Sequence, residues 1–179
     1  MPVTTEAQPL EELRLAYLEQ AAYLLRTARY LGVDERDLDD VVQEVFVIAH
    51  RRWNEFERRS SVRTFLYGIC ARVVLAYRRR AHRRREVPTG SVRDIDDSSL
   101  EAGQEGAERL RRSRSALLSA LSALDEEKRL VIVLYELEDL SMEQVAAAAG
   151  CPVKTAYSRL YAARRILREI LEGTDAEET

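Results

Sequence analysis

The sequence has few of the residues that build disulfide scaffolds, metal centres and tight turns. Its 179 residues include two cysteines, Cys70 and Cys151, and two histidines, His50 and His82. Because the cysteines are far apart and have no companions, neither a disulfide framework nor a zinc cage is expected. Seven glycines and four prolines fit a helical protein with few turns. A Gly-rich phosphate-binding loop is also lacking, so no metal and no cofactor site is predicted.

Long apolar runs are missing as well. No stretch approaches the roughly 20 apolar residues that span a bilayer, and no basic segment leads into an apolar one near the N-terminus, so neither membrane insertion nor a secretory signal is predicted. Hydrophobic residues make up 46% and charged residues 33% of the chain, which is typical of a folded soluble protein. We expect a cytoplasmic protein of one ordinary domain or two small ones.

Lysine is rare, since the chain has 26 arginines and 2 lysines, and the net charge is −3. That charge alone argues against nucleic acid as a partner, but the charges are segregated. Residues 50–85 hold 12 arginines against two glutamates, a net charge of +10. The segments on either side, residues 1–49 and 86–108, each have a net charge of −6. Blocked charge of this kind is typical of a binding face or tail, and arginine suits phosphate groups better than lysine does.

Apolar residues recur every three to four positions along most of the chain, as on one face of an α-helix. Residues 10–31 predict a leading helix, and no alternating strand pattern of useful length is found. An all-α fold is therefore expected. The four further apolar stripes are Leu38, Val41, Val42, Val45, Ala49, Trp53 and Phe56; Val62, Phe65, Leu66, Ile69, Val73 and Ala76; Leu130, Val133, Leu134 and Leu137; and Ala156, Leu160, Ala163, Leu167 and Ile170.

The periodicity is interrupted by a segment rich in Gly, Ser and acidic residues that starts at Glu86. Such a composition predicts a flexible, extended linker. We assign a first helical domain to residues 8–85, the acidic linker to 86–109 and a second helical domain to 110–172. Residues 173–179 are polar and acidic and predict a disordered tail.

A helix-turn-helix is predicted in the second domain. Ser141 and Gln144 form the pattern of a capping box, Gly150 supplies the left-handed residue that ends a helix, and a second helix follows Pro152. In such motifs the second helix contacts base edges in the major groove; the alternative is a helical hairpin with a solvated polar face. The outward residues assigned to DNA are Lys154, Thr155, Tyr157, Ser158, Arg159 and Tyr161, with Arg164, Arg165 and Arg168 assigned to phosphates.

The basic segment mixes arginines with aromatic rings such as Trp53, Phe65 and Tyr67. Single-stranded nucleic acid is bound by cations together with flat rings that stack on bases, so this composition favours a single-stranded partner over a duplex. Trp53 and Phe65 also lie on the apolar stripes and can instead be core residues. Six arginines in residues 78–85 repel one another without an anion and predict phosphate contacts; a solvated helix end is the alternative.

Asp40, Gln43 and Glu44 lie beside the apolar stripe of the second predicted helix. Asp40 and Glu44 are one turn apart and share a face. Paired carboxylates can bind a metal or act as acid and base, but no histidine or further carboxylate stands at a suitable spacing. The remaining interpretations are a solvated face and a docking surface for a basic partner protein.

In their order and separation these motifs resemble the bacterial sigma-70 family. The resemblance is carried by the segments Asp40–Phe46 and Val62–Tyr67, by the arginine run and by the helix-turn-helix. It covers about residues 10–172, and the short two-domain form is similar to the extracytoplasmic-function (ECF) group.

The resemblance implies an N-terminal domain of three to four helices of the sigma region 2 type and a C-terminal helix-turn-helix domain of the sigma region 4 type, joined by the flexible acidic linker. It implies a promoter-specificity subunit of bacterial RNA polymerase that binds core enzyme, recognises promoter elements, supports DNA melting and is not itself an enzyme. In the family an anti-sigma factor commonly sequesters such a protein, and is therefore an implied partner.

The resemblance also implies a role for each matching position. Asp40, Gln43 and Glu44 would bind the clamp of the largest subunit of core RNA polymerase. The loop Glu57–Ser61 and the helix after it would recognise and melt the minus-ten element, with a flipped base captured beside the loop. The residues implied on the minus-ten side are Arg58, Arg59, Ser60, Arg63, Tyr67, Arg72, Arg78, Arg79 and Arg80. Those implied on the minus-thirty-five side are Lys154, Thr155, Tyr157, Ser158, Arg159, Tyr161 and Arg165.

The sequence departs from the family pattern at Phe65, where Trp is usual, at Gly68, which is commonly basic, and at Arg72, which is usually Asn. The promoter sequence is therefore not carried over. A stand-alone helix-turn-helix regulator is the alternative function, but it leaves the acidic face and the arginine–aromatic segment unexplained. A metal-dependent enzyme would need a ligand cluster that the sequence lacks.

Overall fold

The computed structural model describes residues 7–56, 61–85 and 104–177, which form seven α-helices and short turns, with no β-strand among them. The all-α class predicted from the apolar stripes is confirmed. Short 3₁₀ turns lead into and out of the second helix. The helices are α1 (Ala7–Tyr30), α2 (Leu38–Arg51), α3 (Val62–Arg85), α4 (Gln104–Ser122), α5 (Glu126–Ile132), α6 (Met142–Ala149) and α7 (Val153–Glu177).

Helices α1, α2 and α3 pack against one another and form the N-terminal half. The apolar stripe predicted for α2 is its buried face, on which Leu38, Val41, Val42, Val45 and Ala49 are all buried. This burial stabilises α2, because a helix of this length is marginal by itself in water. The opposite face of α2 is left exposed to solvent.

Helices α5, α6 and α7 form the helix-turn-helix half. The Ser141 hydroxyl accepts from the Gln144 N–H, and the Gln144 side chain accepts from the Ser141 N–H, so the predicted capping box is present. Gly150 has the predicted left-handed conformation, with φ of 63°, and ends α6. Helix α7 then begins directly after Pro152 and buries the stripe that starts at Ala156, so its polar side faces outward.

Two helix ends differ from the predicted boundaries. Helix α4 begins at Gln104, inside the segment 86–109 predicted as linker, and the last turns of α7 lie inside the tail predicted for 173–179. Apart from Gly106, strong helix formers occupy the start of α4. Arg112 donates to the Glu108 carboxylate one turn earlier at 3.0 Å, a pairing that supports a helix without tertiary contacts. The end of an apolar stripe therefore marks the end of packing and not the end of the helix.

The two halves share one hydrophobic core in this conformation. Helix α3 packs against α6, and α1 packs against a π-helical turn, Val133–Leu137, that continues α5. Leu66 of α3 and Met142 of α6 belong to the same buried cluster. The sequence predicted two domains on a tether, and hydrophobic periodicity carries no information on how such domains meet. The contact between them brings the residues below together.

Candidate nucleic-acid interface

The acidic face of α2 lies on the outside of the N-terminal half. Asp40, Gln43 and Glu44 are exposed, because the buried stripe of α2 turns their side of the helix away from the core. Glu44 forms an ion pair with Arg80 of α3, with 3.5 Å between Oε2 and Nη2 and about half of each side chain exposed. Water screens such a pair, so it is weak and leaves the face accessible to a basic protein surface.

An apolar groove between α1 and α2 borders this acidic face. Tyr17, Phe46 and Val47 line it beside Gln43, and the rings of Tyr17 and Phe46 meet edge to face with their centroids 4.8 Å apart. Tyr17 is 50% exposed and Val47 is 43% exposed. A protein that docks here therefore meets acidic side chains and apolar surface together, which is the usual composition of a specific interface.

The first turns of α3 meet the helix-turn-helix half through Glu138. The Tyr67 hydroxyl donates to the Glu138 carboxylate at 2.5 Å and the Thr27 hydroxyl donates to it at 2.7 Å. The guanidinium of Arg26 lies 3.2 Å and that of Arg63 3.6 Å from the same carboxylate, and Arg63 also donates to the Glu138 carbonyl at 2.5 Å. Since Glu138 is fully buried, these four side chains replace its hydration shell.

Burial changes the acidity of two groups beside this carboxylate. Loss of water, and secondly the hydrogen bond to Glu138, raise the pKa of Tyr67 to about 12. Burial, and secondly the charge of Glu138, raise the pKa of the Cys70 thiol to about 12. Cys70 is fully buried, as expected for a small core residue. Tyr67, which the family resemblance implies on the minus-ten side, is 1% exposed, so this conformation does not offer it to DNA.

The other arginines implied on the minus-ten side differ in environment. Arg72 and Arg79 are exposed, and because they are seven residues apart they share one face of α3. Arg78 is half-buried; it donates to the Leu31 carbonyl at 3.2 Å and pairs with Glu126 of α5 at 3.3 Å. Arg78 therefore joins the two halves, whereas Arg72 and Arg79 face solvent.

An aromatic cluster precedes α3. The ring of Phe65 lies 4.9 Å from that of Phe56 and 6.2 Å from that of Trp53, measured between centroids. Trp53 is buried and Phe65 is half-buried, so Trp53 is a core residue and Phe65 keeps part of its ring accessible. Three residues implied on the minus-ten side lie outside the described residues: Arg58, Arg59 and Ser60.

The polar side of α7 faces solvent at most of the positions assigned to DNA. The rings of Tyr157 and Tyr161 stack on each other with centroids 6.4 Å apart and an angle of 22° between their planes. Stacking gives the helix a flat apolar ridge among its polar groups. Thr155 is half-buried, and the exposed residues of the set are Lys154, Tyr157, Ser158, Tyr161 and Arg165.

Two arginines of α7 bind acidic side chains of the same half. The guanidinium of Arg159 lies 2.7 Å from the carboxylate of Glu127, and the Arg159 side chain is 20% exposed. Arg164 pairs in the same way with Glu136 at 2.5 Å. Both arginines therefore link α7 to the segment that begins with α5, and neither extends freely from the recognition surface in this conformation.

Within the described ranges, no three histidine, cysteine, aspartate or glutamate side chains are grouped so that they could hold a metal ion. The helices of the same ranges include none that is both long enough and apolar enough to cross a membrane.

Two family models match the chain. Sigma-70 region 2 matches residues 17–84, and Sigma-70, region 4 matches residues 114–167; together they cover more than half of its length. The chain belongs to the sigma-70 family. A sigma factor is a promoter-specificity subunit of bacterial RNA polymerase, and this one binds core enzyme and promoter DNA and supports melting for transcription initiation.

Curated relatives of this sigma factor belong to the ECF group. Over 163 residues it is 33% identical to the ECF RNA polymerase sigma-E factor of Escherichia coli strain K12. The aligned residues cover 87% of this chain and 82% of that one. Over 156 residues it is 33% identical to the RNA polymerase sigma-E factor of Streptomyces avermitilis, covering 86% and 82% of the two chains. The predicted membership of the ECF group is confirmed.

Solved structures have the same fold. CnrH, in complex with the cytosolic domain of CnrY, is 27% identical with a TM-score of 0.68, covering 93% of this chain and 94% of that one. The sigma factor RpoE in complex with the anti-sigma factor NepR, from Bartonella quintana, is 22% identical with a TM-score of 0.71, covering 90% and 98%. The second likeness is one of fold alone.

Sequence reasoning missed the carboxylate of Glu138 and its partners Arg26 and Thr27. Thr27 is fully buried and stands between Leu24 and Ala28 on the apolar side of α1. A hydroxyl on an apolar face needs a hydrogen-bond partner. The position of Thr27 was therefore the one feature of the sequence that could have predicted a buried polar partner. Glu138 carried no signal of its own, because an acidic residue in a short connection is usually solvated.

Proposed function

We propose that the exposed acidic face of α2, formed by Asp40, Gln43 and Glu44, binds the clamp of the largest subunit of core RNA polymerase. Its position beside the apolar groove of Tyr17 and Val47 supports this assignment, because the face joins charge complementarity to apolar contact area. The exposure of this face is the observation that carries the proposal, since a regulator that acts on DNA alone needs no such surface.

The basic side of α3 binds the minus-ten element in this proposal. Arg72 and Arg79 share an exposed face, and arginines spaced along one side of a helix suit successive phosphates. The half-buried ring of Phe65 lies near the start of α3 and suits an unstacked base. The segment with Arg58, Arg59 and Ser60 belongs to the same proposed interface by its place in the chain.

Helix α7 reads the minus-thirty-five element. Lys154, Ser158 and Arg165 are exposed along it and suit hydrogen bonds to base edges and phosphates. The stacked rings of Tyr157 and Tyr161 suit apolar contact with thymine methyl groups in the major groove. In this proposal Thr155 supports the same face, and Arg159 reaches DNA only after it leaves Glu127.

An anti-sigma factor binds and controls this sigma factor in the same proposal, which is supported by the structure of the sigma factor RpoE in complex with the anti-sigma factor NepR. In this proposal the chain acts in the cytoplasm. It has no catalytic activity of its own, because the free energy for DNA melting comes from contacts made by the whole polymerase. Residues 8–85 and 110–172 act as two DNA readers on either side of the connecting segment 86–109.

Run-off transcription with purified core RNA polymerase tests the proposal. The chain is expected to bind core and to direct initiation on templates from its host genome, and the Asp40→Ala plus Glu44→Ala variant is expected to lose both activities. If neither core binding nor initiation is found on any template, the proposal is wrong. Tight binding to duplex DNA without core would instead favour a stand-alone helix-turn-helix regulator.

A further inference from the structure

Four donors from the N-terminal half surround a single carboxylate of the other half. Arg26 and Thr27 come from α1, Arg63 and Tyr67 come from α3, and all four reach Glu138. Glu138 stands just after the π-helical turn that ends at Leu137 and just before the helix-turn-helix. The connection between α5 and α6 therefore inserts its one buried carboxylate between α1 and α3.

The N-terminal half itself holds these donors in place. The guanidinium of Arg26 lies over the ring of Tyr23, 5.0 Å from its centroid, and that of Arg63 lies over the ring of Tyr67 at 5.4 Å. Cation–π contacts of this kind orient both arginines without any help from Glu138. The Thr27 hydroxyl also bonds the Tyr23 carbonyl at 2.8 Å, so three of the four donors have a contact within the N-terminal half besides the carboxylate.

The chemistry of this site suits any compact anion with several oxygens. Two guanidinium groups and two hydroxyls supply more positive charge and more donors than one carboxylate can use. Arginine pairs with phosphate as readily as with carboxylate, in both cases through N–H groups aimed at anionic oxygens. About 40% of the side chains of Arg26 and Arg63 is exposed, so the edge of the site is open to solvent.

We propose that Arg26, Thr27, Arg63 and Tyr67 form a receptor for one backbone phosphate of single-stranded promoter DNA, and that Glu138 fills this receptor to hold the sigma factor closed. This proposal rests on the assignment of α3 to the minus-ten element. The proposal adds two residues of α1 to that assignment. Because Glu138 and the phosphate would occupy the same donors, the two halves cannot be closed while the melted strand is bound.

The rest of the contact between the halves suits reversible closure. Gln144 donates to Thr64 at 2.9 Å, and beyond it Arg129 is buried beside Arg78. Burial, and secondly the charge of Arg78, lower the pKa of Arg129 to about 10, and the Arg129 Nε has no hydrogen-bond partner. An incompletely satisfied cation opposes closure, and the bonds of Glu138 add to the packing of α3 against α6 and to the Arg78–Glu126 pair in offsetting it.

Binding of a single-stranded oligodeoxynucleotide by the full chain tests the proposal without polymerase. A labelled 12-mer of mixed sequence is titrated by fluorescence anisotropy with the natural chain and with Glu138→Ala and Glu138→Gln. Because the binding-competent form is a minor population, opening is expected to raise the affinity about tenfold or more. Glu138→Gln keeps the shape of the side chain, and so guards against a failure to fold. Glu19→Ala, which removes the same charge at an exposed position of α1, is the control and is expected to change nothing.

Separation of the two halves is measured by fluorescence energy transfer, which reports the distance between labels at Ala22→Cys of α1 and Ala147→Cys of α6, both exposed positions. The labelled chain also carries Cys151→Ser, so that Cys151 does not react with the label. Both Glu138 variants are expected to lengthen this distance and the Glu19 control to leave it unchanged. An unchanged distance in both Glu138 variants overturns the closing role of Glu138.

The receptor itself is tested by Arg26→Ala in the Glu138→Ala chain. Loss of most of the gained affinity supports the receptor, and Arg26→Lys is expected to restore part of it. If the gain persists in full, or if the chain opens without any gain, the receptor is overturned. Run-off transcription separates this failure from that of the proposed function: initiation by the Glu138→Ala chain that is lost on Arg72→Ala with Arg79→Ala supports the minus-ten assignment even where the receptor fails.

Discussion

The guanidinium of Arg159 in α7 lies 2.7 Å from the carboxylate of Glu127 in α5. Arg159 stands on the polar side of the recognition helix, where the sequence predicts a DNA contact. In the structure its side chain bends back toward α5 and is 20% exposed, while that of Glu127 is 67% exposed. The pair therefore braces α7 against its own half before any DNA arrives.

The first prediction concerns this brace. Because Glu127 is well exposed and water screens the pair, Arg159→Ala and Glu127→Ala should each lower the free energy of unfolding by less than about 1 kcal/mol. A double-mutant cycle in urea should give a coupling of about 0.5 kcal/mol. A coupling indistinguishable from zero would contradict the bracing role of the pair.

The second prediction concerns the stacked tyrosines of α7. Tyr157→Ala and Tyr161→Ala should each lower initiation about tenfold at promoters that depend on the minus-thirty-five element, because each removes apolar contact with base edges. Run-off transcription at saturating core enzyme measures this. Glu169→Ala is the control on the same helix, since Glu169 is exposed and is assigned no contact with DNA; an equal loss in the control would contradict the assignment.

The third prediction concerns the acidic face of α2. Asp40→Ala with Glu44→Ala should weaken core binding about tenfold or more, because it removes two charges that face a basic surface. Both side chains are exposed, so the far-ultraviolet circular dichroism should not change. Glu19→Ala on the exposed side of α1 removes a charge elsewhere and should leave core affinity unaltered. Core affinity that is unchanged in the double variant would refute the docking face.

The fourth prediction concerns the two thiols. Burial raises the pKa of Cys70 from 9.0 to about 12, so at pH 8 its reactive thiolate is about a thousandfold rarer than in an exposed cysteine. A disulfide reagent should therefore modify the half-buried Cys151 in the native chain and Cys70 only after unfolding. Because the unfolded thiol ionises at a lower pH than the buried one, the contribution of Cys70 to stability is full below about pH 9 and is lost as the pH rises toward 12.

A control settles which thiol reacts. Cys151→Ser should abolish the reaction of the native chain at pH 8 and leave one reactive thiol in guanidinium chloride. Rapid modification of the native Cys151→Ser chain would show that the core around Cys70 opens far more often than its complete burial implies.

The sequence by itself determined the helices, the cap and the surfaces. The stripes of α2 and α7 are buried where the periodicity predicts, because a helix repeats every 3.6 residues whatever it packs against. Ser141 and Gly150 bound α6 as predicted, since caps are satisfied within a few residues of the chain. The exposure of Asp40 and Lys154 follows from the same periodicity.

Only the tertiary structure decided which charges meet. Glu138 bonds Tyr67 and Thr27 across 71 and 111 residues of sequence, and Arg159 turns to Glu127 across 32 positions of the chain. No local pattern encodes such pairs. An exposed arginine or glutamate is solvated by water whether or not it has a protein partner, and only burial makes a partner necessary. The net charge of −3 follows from the sequence alone, but the fold decides which arginines are exposed and which are partly buried against a carboxylate.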